Sequence, residues 1–100
     1  MFDACIGADV LIGVSNDKDV FDEDCIKWMN DKPIVILLGY PDLETTPEKV
    51  KKIKPDAIVA TCNPEYPNYI DSAMVTPYLF RAALDTRAKC INNEMKIAAA

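Results

Sequence analysis

The chain has 100 residues, half of them apolar and 27% charged, with 11 basic against 16 acidic side chains and a net charge of −5. This composition supports one hydrophobic core and excludes disorder. It also argues against non-specific nucleic-acid or anionic-membrane binding, which rest on positive fields. With no histidine and only three glycines, the chain builds no Ser-His-Asp or Cys-His nucleophile, no histidine-ligated metal and no glycine-rich phosphate loop.

The first predicted strand is Ala8–Val14 (ADVLIGV), a short, β-branched and uninterrupted apolar run. Such runs are typical of parallel strands covered on both faces. A helix follows: Asp22 is its expected N-cap, and Glu23 and Asp24 suit the positive end of its dipole. Phe21, Cys25, Trp28 and Met29 share one face, and Trp28 is expected to pack into the core against the sheet. Pro33 ends that segment, because it disfavours helical geometry at Lys32.

The second and third predicted strands are Pro33–Leu38 (PIVILL) and Asp56–Thr61 (DAIVAT). The helix between them starts at Thr46, with Pro47 at its first position, where a missing N–H costs nothing. Lys49, Lys51 and Lys52 suit the negative pole of its dipole. Glu44 and Glu48 lie beside these lysines, so the cluster reads as a solvated helix end rather than an anion site. Cys62–Asn68 is a loop by composition, with two prolines.

A further helix is expected over Ser72–Asp85, with Pro77 inside it, so that Thr76 caps a fresh start or the helix kinks. Leu79, Phe80, Ala83 and Leu84 form its apolar side. Thr86 is the expected cap of a last helix carrying Ala88, Ile91, Met95 and Ala98. That helix meets no stop signal before Ala100, so the chain reads as a segment ending inside a helix. Cys5, Cys25, Cys62 and Cys90 form no C-x-x-C pair. With no signal peptide at Met1, they read as reduced thiols of a cytoplasmic protein. No apolar run approaches the roughly 18 residues of a membrane span.

Three parallel strands with flanking helices define the expected fold class, α/β: half of a doubly wound Rossmann-like sheet, formed by residues 1–100. Ligands of such sheets sit beyond the carboxyl ends of the strands, here Val14–Asn16, Leu38–Asp42 and Thr61–Asn68.

GADVLIGVS at Gly7–Ser15 and DKPIVILLGYPDLE at Asp31–Glu44 resemble the latter part of the NAD(P)-binding domain of malic enzymes, particularly the short bacterial-type class. The resemblance continues in one register through KPDAIVAT (Lys54–Thr61), YPN (Tyr66–Asn68), FRAALD (Phe80–Asp85) and INNEMKIAAA (Ile91–Ala100). It implies a parent that oxidises malate with NAD or NADP and decarboxylates the product to pyruvate, using a divalent metal. In that family the glycine-rich loop, the catalytic tyrosine and lysine, and the acidic metal ligands lie upstream. This chain is therefore expected to carry no catalytic and no metal residues.

What the resemblance assigns here is a cofactor face. Gly13, Val14 and Ser15 match the family's G-V-S beside the cofactor. Tyr40 stands where the asparagine of A-N-P approaches the nicotinamide end. Asp71 and Ser72 replace paired asparagines, one of which binds the substrate carboxylate in the family. A carboxylate at Asp71 would repel that group rather than donate to it. The resemblance thus implies an NAD(P)-binding segment, inactive alone and binding NAD(P) weakly or not at all. Its expected partners are the missing half of the domain or a second copy, with no nucleic acid and no membrane. The alternative is a non-catalytic binding or oligomerisation module derived from such an enzyme. NAD and NADP are not distinguished, since the ribose-selecting residue follows an earlier strand of the full fold.

Overall fold

The alternation of side chains along the apolar runs sets the architecture. In the computed structural model, which describes every residue except Met1, Asn16 and Ser72, the elements are helix α1 (Phe2–Cys5), strand β1 (Val10–Gly13), helix α2 (Glu23–Lys27), strand β2 (Ile34–Leu37), helix α3 (Pro47–Ile53), strand β3 (Ile58–Thr61), helix α4 (Thr76–Asp85) and helix α5 (Asn93–Ala99). The chain forms two compact units, residues 1–70 and 71–100.

The first unit is a parallel sheet in the order β1-β2-β3, as expected, with strands shorter than the apolar runs that contain them. The register aligns Leu11, Val35 and Val59 in one row and Gly13, Leu37 and Thr61 in the next on the same face. Ile26 and Met29 and, from α3, Val50 pack with Val35, Leu37, Ala57 and Val59 to form the core. Both expected caps are present: Asp22 accepts from the Cys25 N–H at 2.9 Å, and Thr46 accepts from the Lys49 N–H at 3.4 Å. Each satisfies a backbone donor that the helix itself leaves unpaired.

Coverage of the sheet differs from expectation. The opposite face carries Val10, Ile12, Ile34 and Ile58, all 38–57% exposed. The continuous hydrophobicity of the runs is therefore used on one face only within the first unit. Trp28 is also a correction: it is 52% exposed and caps the carboxyl end of α2 rather than filling the core. The buried stripe is Cys25, Ile26 and Met29. At 3.6 residues per turn, Trp28 lies about 100° from the centre of that stripe.

In the second unit, α4 begins at Thr76 with Pro77 in its first turn, so Thr76 opens the helix rather than capping it; the expected start at Ser72 lies outside the described residues. Val75 occupies the cap position without a side-chain bond. Thr86 does not cap the last helix. It ends α4, its hydroxyl donating to the Ala82 carbonyl at 2.8 Å. Arg87 then takes φ 51° and the Ala88 N–H returns to the Ala83 carbonyl, a left-handed stop. Asn92 caps α5 instead, accepting from the Met95 N–H at 2.9 Å. No described helix is long and apolar enough to cross a membrane.

The cysteines are free thiols: Cys5 and Cys25 buried, Cys62 half-buried, Cys90 exposed. Burial, with Cys5 and Asp22 beside it, pushes the Cys25 thiol up to about 12. Because the thiolate is the reactive form, Cys90 is expected to react first with Ellman's reagent at pH 8, and Cys25 only on unfolding. Stoichiometric labelling of Cys25 in the native chain would contradict this packing.

Candidate functional site

The strands end side by side, with Gly13 opposite Leu37 and Leu37 opposite Thr61, so the three following loops share one end of the sheet. What joins the first two loops is Glu44, a fully buried carboxylate. Its Oε1 accepts from the Ser15 N–H at 2.8 Å and its Oε2 from the Gly39 N–H at 3.2 Å. Its own carbonyl accepts from the Phe21 N–H. An acceptor-only group meeting two donors is the arrangement that makes burial of a carboxylate tolerable.

The same side chain explains two of the three glycines. A Cβ on Gly13 would lie 2.6 Å from the Glu44 carboxyl carbon and 2.8 Å from Phe21; one on Gly39 would lie 2.6 Å from the Asp42 carbonyl and 2.9 Å from Glu44. Sequence reasoning assigned Glu44 only to the surroundings of the lysine cluster. The available signal was a pair of glycines at two strand ends in a chain with three.

The third loop closes on itself. Thr61 is buried, and its hydroxyl accepts from the Asn63 N–H at 3.1 Å. Asn68 donates to the Val59 carbonyl, and Tyr69 bridges back to Thr61. The Cys62 thiol donates to the Gly39 carbonyl at 3.1 Å, tying this loop to the second. A cleft of about 340 Å³ opens between the two, lined by Tyr40, Pro41, Cys62, Asn63 and Glu65. Ligand pockets run from about 300 to 1,000 Å³, so this cleft lies at the small end of that range. A smaller cleft of about 190 Å³ is lined by all three loops, through Lys18, Asp42, Asn63 and Tyr66 among others.

The residues assigned to a cofactor face divide in two. Val14 and Tyr40 are 76% and 77% exposed and present apolar and aromatic surface. Gly13 is buried and the Ser15 N–H is occupied, both by Glu44. What this end of the sheet leaves open is therefore the side chains of Val14 and Tyr40 rather than the Ser15 backbone donor. Asp71 belongs to the second unit, where its Oδ1 accepts from the Ala73 N–H at 2.8 Å. Ser72 lies outside the described residues. No three acidic or cysteine side chains gather to hold a metal ion among the described residues.

The lysine cluster is a solvated helix end, as expected. Lys49 pairs with Asp19 at 2.6 Å, and Lys51 donates to the Pro55 carbonyl. The hydrogen bond from Lys49 holds the Asp19 carboxyl below its ordinary value. Its stabilising effect is present above the unfolded carboxylate range and fades as pH falls through the lowered value. Both partners are half exposed, so the effect is small.

No protein-family model matches the chain. Among curated proteins, it is 47% identical over 98 residues to an NADP-dependent malic enzyme of Rhizobium meliloti, covering 98% of this chain and 13% of that protein. It is 41% identical to the NADP-dependent malic enzyme of Halomonas elongata (97% and 23%) and 43% identical to an NAD-dependent malic enzyme of Geobacillus stearothermophilus (98% and 20%). Among solved structures, malic enzyme from Pyrococcus horikoshii superposes with TM-score 0.84 at 39% identity, over 98% of this chain and 23% of that one. The NAD-dependent malic enzyme of Thermotoga maritima gives 0.88 at 30% identity (99% and 26%). The chain spans less than a quarter of the length of these curated relatives.

Proposed function

We propose that this chain, which in sequence and fold matches one segment of the malic enzymes, is the carboxyl-terminal part of a nicotinamide-cofactor domain. It contributes one wall of the cofactor site to a parent that oxidises and decarboxylates malate. The observation that carries this reading is the match over 98 residues at 47% identity, ending each parallel strand where a doubly wound sheet binds its ligand. Val14 and Tyr40 form the contact surface. Gly13 and Ser15 act indirectly, by holding the loop that presents Val14. The rest of the parent covers the open face at Val10, Ile12, Ile34 and Ile58.

Catalysis needs an acid, a base and, in this chemistry, a metal around one carbon, and none of the assigned residues supplies them. The 100-residue chain alone is therefore inactive. Its small cleft supports only weak cofactor binding, with a dissociation constant on the order of 1 mM, about −4 kcal/mol. Calorimetric titration with NAD and with NADP checks this. A micromolar constant for either would show that the chain holds a complete site. The existence of a parent is tested separately: coding sequence in frame before Met1 must include a glycine-rich pyrophosphate loop, and its absence would sink the reading.

A second reading is a non-catalytic module that pairs with a second copy of itself. It is favoured by the exposed apolar sheet face and by β1 at the sheet edge, since unpaired edges template association. Tyr40, Asp71 and Ser72, where the resemblance implies asparagines, fit it as well. Sedimentation across a wide concentration range should then reveal a dimer; a monomer at the highest concentration removes this reading.

A further inference from the structure

We infer that Glu44 is the positioning residue of the cofactor face: its one carboxylate sets the first strand-end loop against the second, and so presents Val14 and Tyr40 together. This rests on the cofactor reading above. The geometry is specific. The two oxygens are divided between two loops, Ser15 after β1 and Gly39 after β2, and both strand-end glycines are held small by the same carboxylate. Val14 lies between Gly13 and Ser15, and Tyr40 follows Gly39, so each exposed residue is next to a backbone group that Glu44 holds. No buried side-chain polar atom is left unpaired among the described residues. Glu44 itself is fully buried and makes no direct contact with a ligand in this scheme. Its effect passes through the two loops.

Glutamine at this position is informative because it is nearly isosteric. Its Oε1 can accept from one of the two N–H groups, while its NH₂ must face the other, donor against donor. One loop is then released with the fold retained. In Glu44→Gln, amide exchange at either Ser15 or Gly39 should accelerate by about ten-fold or more, with Val35, Leu37 and Val59 unchanged. Resonance changes at Val14 and Tyr40 caused by NAD or NADP at about 10 mM, above the expected constant, should weaken by a similar factor. Retained exchange rates at both amides, or an unchanged cofactor response, would overturn the inference.

If Glu44→Gln does not fold, the native chain still decides. A scalar coupling across the hydrogen bond, from the Ser15 amide nitrogen to the Glu44 carboxyl carbon, is expected, and its absence overturns the clamp. Failure of the cofactor reading looks different: the coupling is present, yet neither NAD nor NADP moves Val14 or Tyr40 in the native chain. That result removes the positioning role together with the reading on which it rests.

Discussion

Leu37→Ala is expected to destabilise the first unit by about 2–5 kcal/mol, the usual range for truncating a buried leucine. Leu37 is fully buried at the carboxyl end of the central strand, packed among residues from both flanking helices. The loss combines the transfer energy of the removed methyl groups with a cavity that a sheet paired on both sides of β2 cannot close. Urea unfolding followed by exchange of the β-strand amides measures it. A change within about 0.5 kcal/mol, as for an ordinary surface substitution, would mean that Leu37 is not in the core. Ile58→Ala, on the exposed face, serves as the comparison and should cost far less.

Gly39→Ala should rank next, at the upper end of the roughly 1–3 kcal/mol that overpacking costs. The added Cβ meets the Asp42 carbonyl at 2.6 Å, a backbone atom that cannot swing aside, as well as the Glu44 carboxyl carbon at 2.9 Å. In a unit of this size, 1 kcal/mol corresponds to roughly 4–8 °C in melting temperature, so a fall of the order of 10–20 °C is expected. Gly13→Ala should cost less, because its Cβ meets only side-chain atoms of Glu44 and Phe21. Gly7→Ala makes only an ordinary contact, with the Asn30 Oδ1 at 3.8 Å, but forces alanine to φ +69°, a strain of about 1 kcal/mol. Thermal unfolding of the three variants gives the order; equal losses at Gly39 and Gly7 would remove Glu44 and Asp42 as the cause.

These contrasts separate what the chain announces locally from what it decides at a distance. The three parallel strands were readable because each is a short β-branched run at near-equal spacing. Two helix starts were readable because Asp22 and Thr46 act on N–H groups three residues away. A signal whose cause and effect lie within one turn survives in the sequence. Thr86 shows where even a local signal becomes ambiguous. A threonine can cap the helix that follows or return its hydroxyl to the helix that precedes, and the left-handed turn at Arg87 selects the second.

The parallel sheet and the order of its strands are written locally in the chain. Which face of each apolar run is buried, why Trp28 lies outside the core, and how the strand-end loops are joined follow from contacts between distant elements. The reason is range. Side-chain alternation is written along one strand, but the covering of a face depends on helices from elsewhere in the chain. Glu44 reaches one partner 5 residues away and another 29 residues away, and the glycines that make room for it show in the sequence only as a pair at two strand ends until the fold brings all three together.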